Sequence, residues 1–388
     1  MPALRVLYVI DSLAPGGAET SLVEMATGLV RSGIELHVLP LGESLELAPA
    51  LQDTGAVLHP RPTRRGRPGN IRAVLEVARR TSPGLIHTTL YESDIAGRSA
   101  ARLLRVPCST SIVGDSYGPS RRAEVDPFRL RMALALDQLS ARHASFHAVS
   151  QSLAARTSQF LRVPGNRIEV IPRGRDPRKY LFRTAGLRES TRSELGIPLD
   201  APTILAVGRM EPAKGQLHLM RGLPVVAAAH PGLVVLVAGK EGASGDDLRS
   251  AARGLPADIR FLGHRNDVPA LLAAADVLCF PSLREGSPGT LIEAMAVGCP
   301  VVASDIPPNY EVLGSGARSA GQLINTQDPQ ALGDAVNRAL ANPDFTTHRA
   351  QVGRARFEER FTIDAVVTRM ADFYLSAAAR FSRQPTKP

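Results

Sequence analysis

Two glutamates, Glu285 and Glu293, flank a loop rich in small residues in "LREGSPGTLIEAMAVGCPVVAS", Leu283 to Ser304. Paired carboxylates serve as a catalytic acid and base, as grips for a ligand, or as plain surface charges. Spacing alone does not choose, because the chain holds 18 glutamates and Glu35 and Glu43 repeat the interval in "ELHVLPLGE". Context separates the two cases. The pair at 285 and 293 follows the apolar run "DVLCFPS" and straddles a helix start: Ser287 reads as the N-cap, Pro288 as the first helical residue and Gly298 as the stop. That arrangement aims the N–H groups of Gly289, Thr290 and Leu291 at an anion.

Two further loops have the same grammar. "LYVI" runs into "DSLAPGGAE", with Gly16 and Gly17, and "TILAVG" runs into "RMEPAKG", with Gly208, Arg209, Lys214 and Gly215. Glycine permits close backbone approach, and a helix that opens after a parallel strand presents unpaired N–H groups at the ligand-binding edge of the sheet. Lys214 gains weight from rarity, since the chain carries 42 arginines and 4 lysines. A planar guanidinium beside a compact ammonium suits a diphosphate. None of the loops is a Walker A sequence, and no G-x-G-x-x-G follows a strand, which argues against a nucleotide hydrolase and a dinucleotide-dependent oxidoreductase.

The elements that must hold these loops are short apolar runs alternating with amphipathic segments, the pattern of βα units in a parallel sheet. The first half offers strands at "LRVLYVI", "ELHVLPL", "GLIHTT", "PCSTSIV", "SFHAVS" and "RIEVIP", with helices over 18–31, 71–80, 94–104, 127–142 and 151–162. The polar stretch Arg183 to Pro202 reads as a linker, after which "TILAVG", "LVVLVAG", "IRFLG", "DVLCFPS", "PVVAS" and "GQLIN" restart the pattern. The expectation is an α/β chain of two doubly wound domains facing a cleft, 1–183 and 184–362. Residues 363–388 then form a helix that packs back on the first domain, and a tail.

Composition narrows the function. Of the chain's 388 residues 44% are hydrophobic and 21% charged, which suits a soluble globular class, and no apolar run nears the ~20 residues of a membrane span. The start, "LRVLYVI", reads as a strand and not a signal peptide; three sparse cysteines, Cys108, Cys279 and Cys299, read as buried thiols in a reducing compartment. The whole net charge of +9 lies before residue 184, notably in "RPTRRGRPGN", Arg61 to Asn70. It reads either as a solvated basic loop or as attraction to an anionic acceptor or membrane surface. Nucleic acid is disfavoured by the 4% aromatic content and the lack of a recognition motif. Phe128, Met132, Leu136 and Leu139 share one helix face, simplest as a core stripe, alternatively a membrane-facing one.

With these residues assembled, the chain resembles the retaining glycosyltransferases of family 4, nearly end to end. The motifs are "PGGAE", "VSQSLAART", "IEVIPRGRD", "VGRMEPAKG", "FLGHRNDVPALLAAADVLCFPS", "REGSPGTLIEAMAVGCPVVAS" and "GQLI", in family order. The resemblance implies the GT-B architecture and a nucleotide-sugar donor held mainly by the second domain. It implies Arg209 and Lys214 on the diphosphate, and Glu285 on sugar hydroxyls with the amides of Gly286 to Gly289 nearby. Thr290 and Leu291 would offer backbone N–H groups to the phosphates, Glu293 would accept from the ribose, and Gly17 would approach from the first domain. Glu285, Arg209 and Lys214 would carry the catalysis, with Gly16 and Gly208 completing the loops. The implied acceptor is a glycan or lipid-linked molecule, and the implied place the cytoplasm or the inner membrane surface. No D-x-D motif appears, so neither a metal nor another cofactor is expected. Base contacts are expected near Gly239 and His264–Arg265.

Two departures stand out. Where many relatives carry an active-site His before a Gly, this chain has Val113 before Gly114, with Asp115, Ser116 and Tyr117 following. The family's Asn-Gly-Val-Asp is Arg173, Gly174, Arg175 and Asp176, which adds two cations. His87 reads as structural and not catalytic. A homologue without turnover remains the alternative to an enzyme.

Overall fold

The computed structural model describes residues 3–60, 66–118 and 125–382. The chain forms two compact units, residues 1–174 with 363–388, and 175–362. They divide between Gly174 and Arg175, where the sequence reading put the change at 183/184. Part of the basic stretch at 61–70 lies outside the described residues; its end, from Gly66, opens the Gly66–Thr81 helix.

The first unit is a parallel sheet ordered β3-β2-β1-β4-β5-β6-β7. Its strands are β1 (Leu4–Ile10), β2 (Ile34–Pro40), β3 (Val57–Leu58), β4 (Leu85–Thr89), β5 (Cys108–Ile112), β6 (Ser145–Ala148) and β7 (Ile168–Val170). The second is ordered β10-β9-β8-β11-β12-β13, from β8 (Thr203–Val207), β9 (Val234–Ala238), β10 (Asp258–Gly263), β11 (Val277–Phe280), β12 (Val301–Ser304) and β13 (Gln322–Ile324). Both orders are doubly wound, with the reversal between β1 and β4 and between β8 and β11, where ligands bind in such sheets. The central strands read as unbroken apolar runs because both faces are covered: β9 is buried at all five positions.

The last helix, Ile363–Ser382, supplies core to the first unit, as expected. Val366, Val367, Met370, Phe373 and Tyr374 are buried with Leu22, Leu29, Val6 and Tyr8, and a Cβ on Gly28 would lie 2.7 Å from Val367 Cγ2. Two expectations need correction. The stretch after Arg183 is no linker: Ala185–Glu194 is a helix of the second unit, N-capped by Thr184. Its Arg192 is fully buried and ties the turn together through the carbonyls of Pro198, Leu199, Ala201 and Ala274 and the Asp276 carboxylate at 2.8 Å. Nor is the Phe128–Leu139 stripe core. Phe128, Met132 and Leu139 are 70%, 57% and 50% exposed, while the Pro127–Ala141 helix buries Asp137 and Ala141 instead. A buried guanidinium, Arg98, reaches across to Asp137 and so turns the polar face inward.

His87 is structural. It is fully buried and bonded to Ser109 and Ser111 at 2.8 Å, and Ser111 continues to His147, whose Nε2 meets the Ile171 carbonyl at 2.7 Å. All three cysteines are buried, and burial pushes each thiol up to about 12.

Burial holds His147 down to about 4 and His87 well below its ordinary value, so both stay neutral in the fold. Between pH 6.5 and 4 the unfolded chain binds more protons, so stability rises with pH in that window and is lost as pH falls. His147 alone accounts for about 3 kcal/mol of that loss. Denaturant unfolding of the first unit from pH 7 to 4 should show this slope, and His147→Gln should flatten it. In the second unit, Arg192→Met should cost about 1–3 kcal/mol, because it leaves the Ala274 carbonyl without a donor and takes one of the two guanidiniums from Asp276. Chemical denaturation reads it, and Arg192→Lys should recover only part.

Candidate functional site

In the second unit β8 ends at Val207, and Pro212–Lys214 makes a single tight turn before the Gln216–Ala229 helix. Gly215 joins them at φ 65°, a left-handed conformation, and a Cβ there would collide with the Pro281 carbonyl oxygen. Only glycine fits both demands. The close approach brings the Gln216 end of that helix against the loop after β11, and the Leu283 N–H closes it by donating to the Ala213 carbonyl at 2.9 Å. Lys214 Nζ then donates to Glu285 Oε1 at 2.7 Å, with the carboxylate side chain 10% exposed. Arg209 is 68% exposed and lies 3.9 Å from Glu211. Gly208 and Gly239 lie back to back, a Cβ on Gly239 falling on the Gly208 carbonyl.

The helix after this loop runs Gly289–Val297, ends at Gly298 with φ 79° as expected, and starts one residue later than read from sequence. Pro288, not Ser287, is the N-cap, and no side chain caps it. Ser287 is 6% exposed and its Oγ has no hydrogen-bond partner. The Leu291 N–H already donates to the Pro288 carbonyl at 3.1 Å, so the N–H groups at the helix mouth are those of Gly289 and Thr290.

Glu293 faces a different cation from Glu285. Arg175 Nε donates to Glu293 Oε1 at 2.8 Å, between side chains 9% and 12% exposed. A Cβ on Gly289 would collide with Arg175 Nη2. The loop after β8 carries Gly208, Arg209 and Lys214, the stretch after β11 carries Glu285 and Gly286 in its loop and Gly289, Thr290 and Glu293 in its helix, and the Lys214–Glu285 pair joins the two. Each carboxylate has its own cationic partner, Lys214 for Glu285 and Arg175 for Glu293. Arg175, the partner of Glu293, is the residue that stands for Val in the Asn-Gly-Val-Asp motif.

In the first unit Gly16 and Gly17 open the Gly17–Arg31 helix. Glu19 folds back over Gly16, where a Cβ would lie 2.5 Å from its Oε2, and Ser12 donates to its other oxygen at 3.2 Å. Beside Gly17 stands a guanidinium, Arg173 Nη1, 2.6 Å from where a Cβ would be. Asp11 caps the Tyr91–Leu104 helix, accepting from Ser93 N–H at 2.7 Å and Ser93 Oγ at 2.6 Å. Val113, Gly114, Asp115, Ser116 and Tyr117 line a cavity of about 520 Å³ with Asp11, Arg67, Asp94, Arg129 and Arg156. Within it Asp115 pairs with Arg156, and Tyr117 donates to Asp137 at 2.7 Å. Burial pushes the Asp94 carboxyl up to about 8 against the pull of Arg98.

Two family models cover most of the chain. "Glycosyltransferase Family 4" matches residues 15–179, and "Glycosyl transferases group 1" matches 188–356. The chain is 28% identical to a D-inositol 3-phosphate glycosyltransferase of Corynebacterium efficiens over 93% of its own length and 91% of that protein. It is 36% identical to a phosphatidyl-myo-inositol mannosyltransferase of Mycobacterium leprae over 48% of its length, spanning half of that relative. In fold it matches HepE of Anabaena, solved with UDP, at a TM-score of 0.82 and 22% identity, over 96% of this chain and all of the other. The two doubly wound sheets are thus those of the GT-B architecture, and the chain belongs to the group 1, or family 4, glycosyltransferases.

Proposed function

We propose that this protein is a retaining glycosyltransferase that moves a hexose-type sugar from a nucleotide-diphosphate sugar to a glycan or lipid-linked acceptor. The observation that carries the reading is the pairing of Lys214, from the loop after β8, with Glu285, from the loop that leads into the Gly289–Val297 helix. When the glycosidic bond to the donor breaks, negative charge grows on the departing diphosphate, and preorganised cations and helix N-termini stabilise it. Lys214 rests on Glu285 until the donor arrives. Exchange of Lys214 onto phosphate frees the Glu285 carboxylate to accept from sugar hydroxyls, while Glu293 accepts from the ribose. Retention follows from front-face attack, with a donor phosphate oxygen taking the acceptor proton, so no protein nucleophile is required. HepE has also been solved with UDP-glucose, which supports a donor of that class.

Relatives named for inositol phosphate and phosphatidyl-inositol substrates support an anionic acceptor. Among the described residues no helix is long and apolar enough to cross a membrane. We place the protein in the cytoplasm, touching an anionic membrane surface peripherally. The exposed Phe128, Met132 and Leu139 beside Arg129 and Arg131 support that contact. Nucleic acid is not among its partners, and turnover needs no divalent ion or other cofactor, so it should survive chelation. Val113, standing where relatives carry histidine, favours the second reading, a homologue that binds nucleotide sugar or a partner enzyme without turnover.

A panel of UDP-, GDP- and ADP-sugars decides between them. Donor hydrolysis or transfer with one member supports the enzyme, binding without turnover supports the second reading, and no binding at all removes the enzyme and leaves of the second reading only a homologue that binds a partner enzyme. With the active donor, Arg209→Ala or Lys214→Ala should lower kcat by the equivalent of ~2–4 kcal/mol, as for loss of an oxyanion donor.

A further inference from the structure

We infer that the first unit carries a binding site for a single anionic phospholipid at the amino edge of its sheet, where β5, β6 and β7 begin. That is the edge opposite the one where ligands bind in doubly wound sheets. Two adjoining cavities form the site. The first, of about 350 Å³, is walled by Ala101, Val106, Leu136 and Leu139 and reaches Arg102 and His143. The second, of about 380 Å³, shares Cys108, His143 and Ala144 with the first and adds Asn166, Arg167 and Arg380. Among the described residues no carboxylate lines either one. Arg98 also lines the first, but it is committed to Asp94 and Asp137. The peripheral membrane contact proposed above needs no discrete site, so this assignment goes beyond it.

Taken singly, the cations have local reasons to be there. Arg102 and Arg380 stand in the last turns of their helices, where a cation complements the helix dipole. Arg167 Nη1 donates to the Arg142 carbonyl, just past the Pro127–Ala141 helix, and Arg380 Nη1 donates to the Asn166 carbonyl at 3.2 Å. Those bonds anchor two guanidiniums that each carry five N–H donors. Glu169 lines the next recess together with Arg167 and Arg380, yet among the described residues no ion pair joins it to either. Dipole complementation explains each arginine; it does not explain why Arg167 and Arg380 share a cavity without a counter-charge. A phosphate suits that cavity, because its oxygens accept from planar guanidiniums in pairs. The cavity beside it is apolar along one wall and suits a hydrocarbon chain. Leu139 links it to the exterior: it lines that wall, is half exposed, and shares a helix face with the exposed Phe128 and Met132. One molecule that needs both compartments is a phospholipid. Its net charge must be negative, because a zwitterionic headgroup would bring its own cation to Arg167 and Arg380.

The test is calorimetric titration of the full chain with soluble short-chain lipid below its micelle concentration. The probes are dihexanoyl phosphatidylglycerol, dihexanoyl phosphatidylcholine and glycerol 3-phosphate. One phosphatidylglycerol should bind per chain, at least tenfold tighter than either of the other two. Arg167→Gln and Arg380→Gln should each weaken it at least fivefold, and Arg380, exposed on the last helix, stands in should Arg167→Gln fail to fold. Leu139→Asn should weaken phosphatidylglycerol while leaving glycerol 3-phosphate unchanged. Phe128→Ser with Met132→Ser should lower binding to phosphatidylglycerol vesicles and leave the titration with monomeric lipid as it was. Glycerol 3-phosphate or phosphatidylcholine bound as tightly as phosphatidylglycerol, or wild-type affinity in both arginine variants, would overturn the assignment. Vesicle binding without any binding of monomeric lipid would also overturn it and leave only the general membrane contact. Monomeric lipid bound by a chain that ignores vesicles would support the site and remove that contact instead.

Discussion

The Pro281 carbonyl oxygen stands where a side chain on residue 215 would begin, and the second unit's site follows from that contact. Because the two backbones touch, the loops after β8 and β11 are one layer apart at the point where the sheet reverses direction. Lys214 can then meet Glu285 at 2.7 Å. A single backbone contact thus sets where Lys214 and Glu285 meet.

Much of this was legible from residues. Apolar runs marked twelve of the thirteen strands among the described residues, and the one missed, Val57–Leu58, is a two-residue edge pair too short for periodicity to register. The Gly-punctuated loops were recognisable because glycine at 215 and 298 answers a local demand for positive φ. Two of the misreadings share a cause: each depended on a partner distant in sequence. The Ala185–Glu194 helix looked like a linker because its anchor is a buried arginine, and arginine reads as surface in composition. The Pro127–Ala141 helix looked amphipathic in the wrong sense because Arg98, from another helix, draws Asp137 inside. Ser287 looked like a cap because sequence grammar does not reveal that Pro288 takes that role.

Charge pairing across the chain explains why the arginine-rich composition was hard to read. Arg175 and Glu293 are 118 residues apart, and Lys214 and Glu285 are 71. Such pairs leave no local pattern. They give two glutamates with an uninformative interval two different cationic partners.

The second unit is an unbroken stretch, 175–362, set inside a first unit made of two pieces. Gly174 and Ile363, the points of departure and return, adjoin: a Cβ on Gly174 would lie 2.9 Å from Ile363 Cα. On the ribosome the inner unit therefore emerges whole while the outer one still lacks the Ile363–Ser382 helix. The β1–β7 sheet must wait, with Val6, Tyr8, Leu22 and Leu29 uncovered on that face, until the last helix is synthesised. The order of completion is the reverse of the order of the strands.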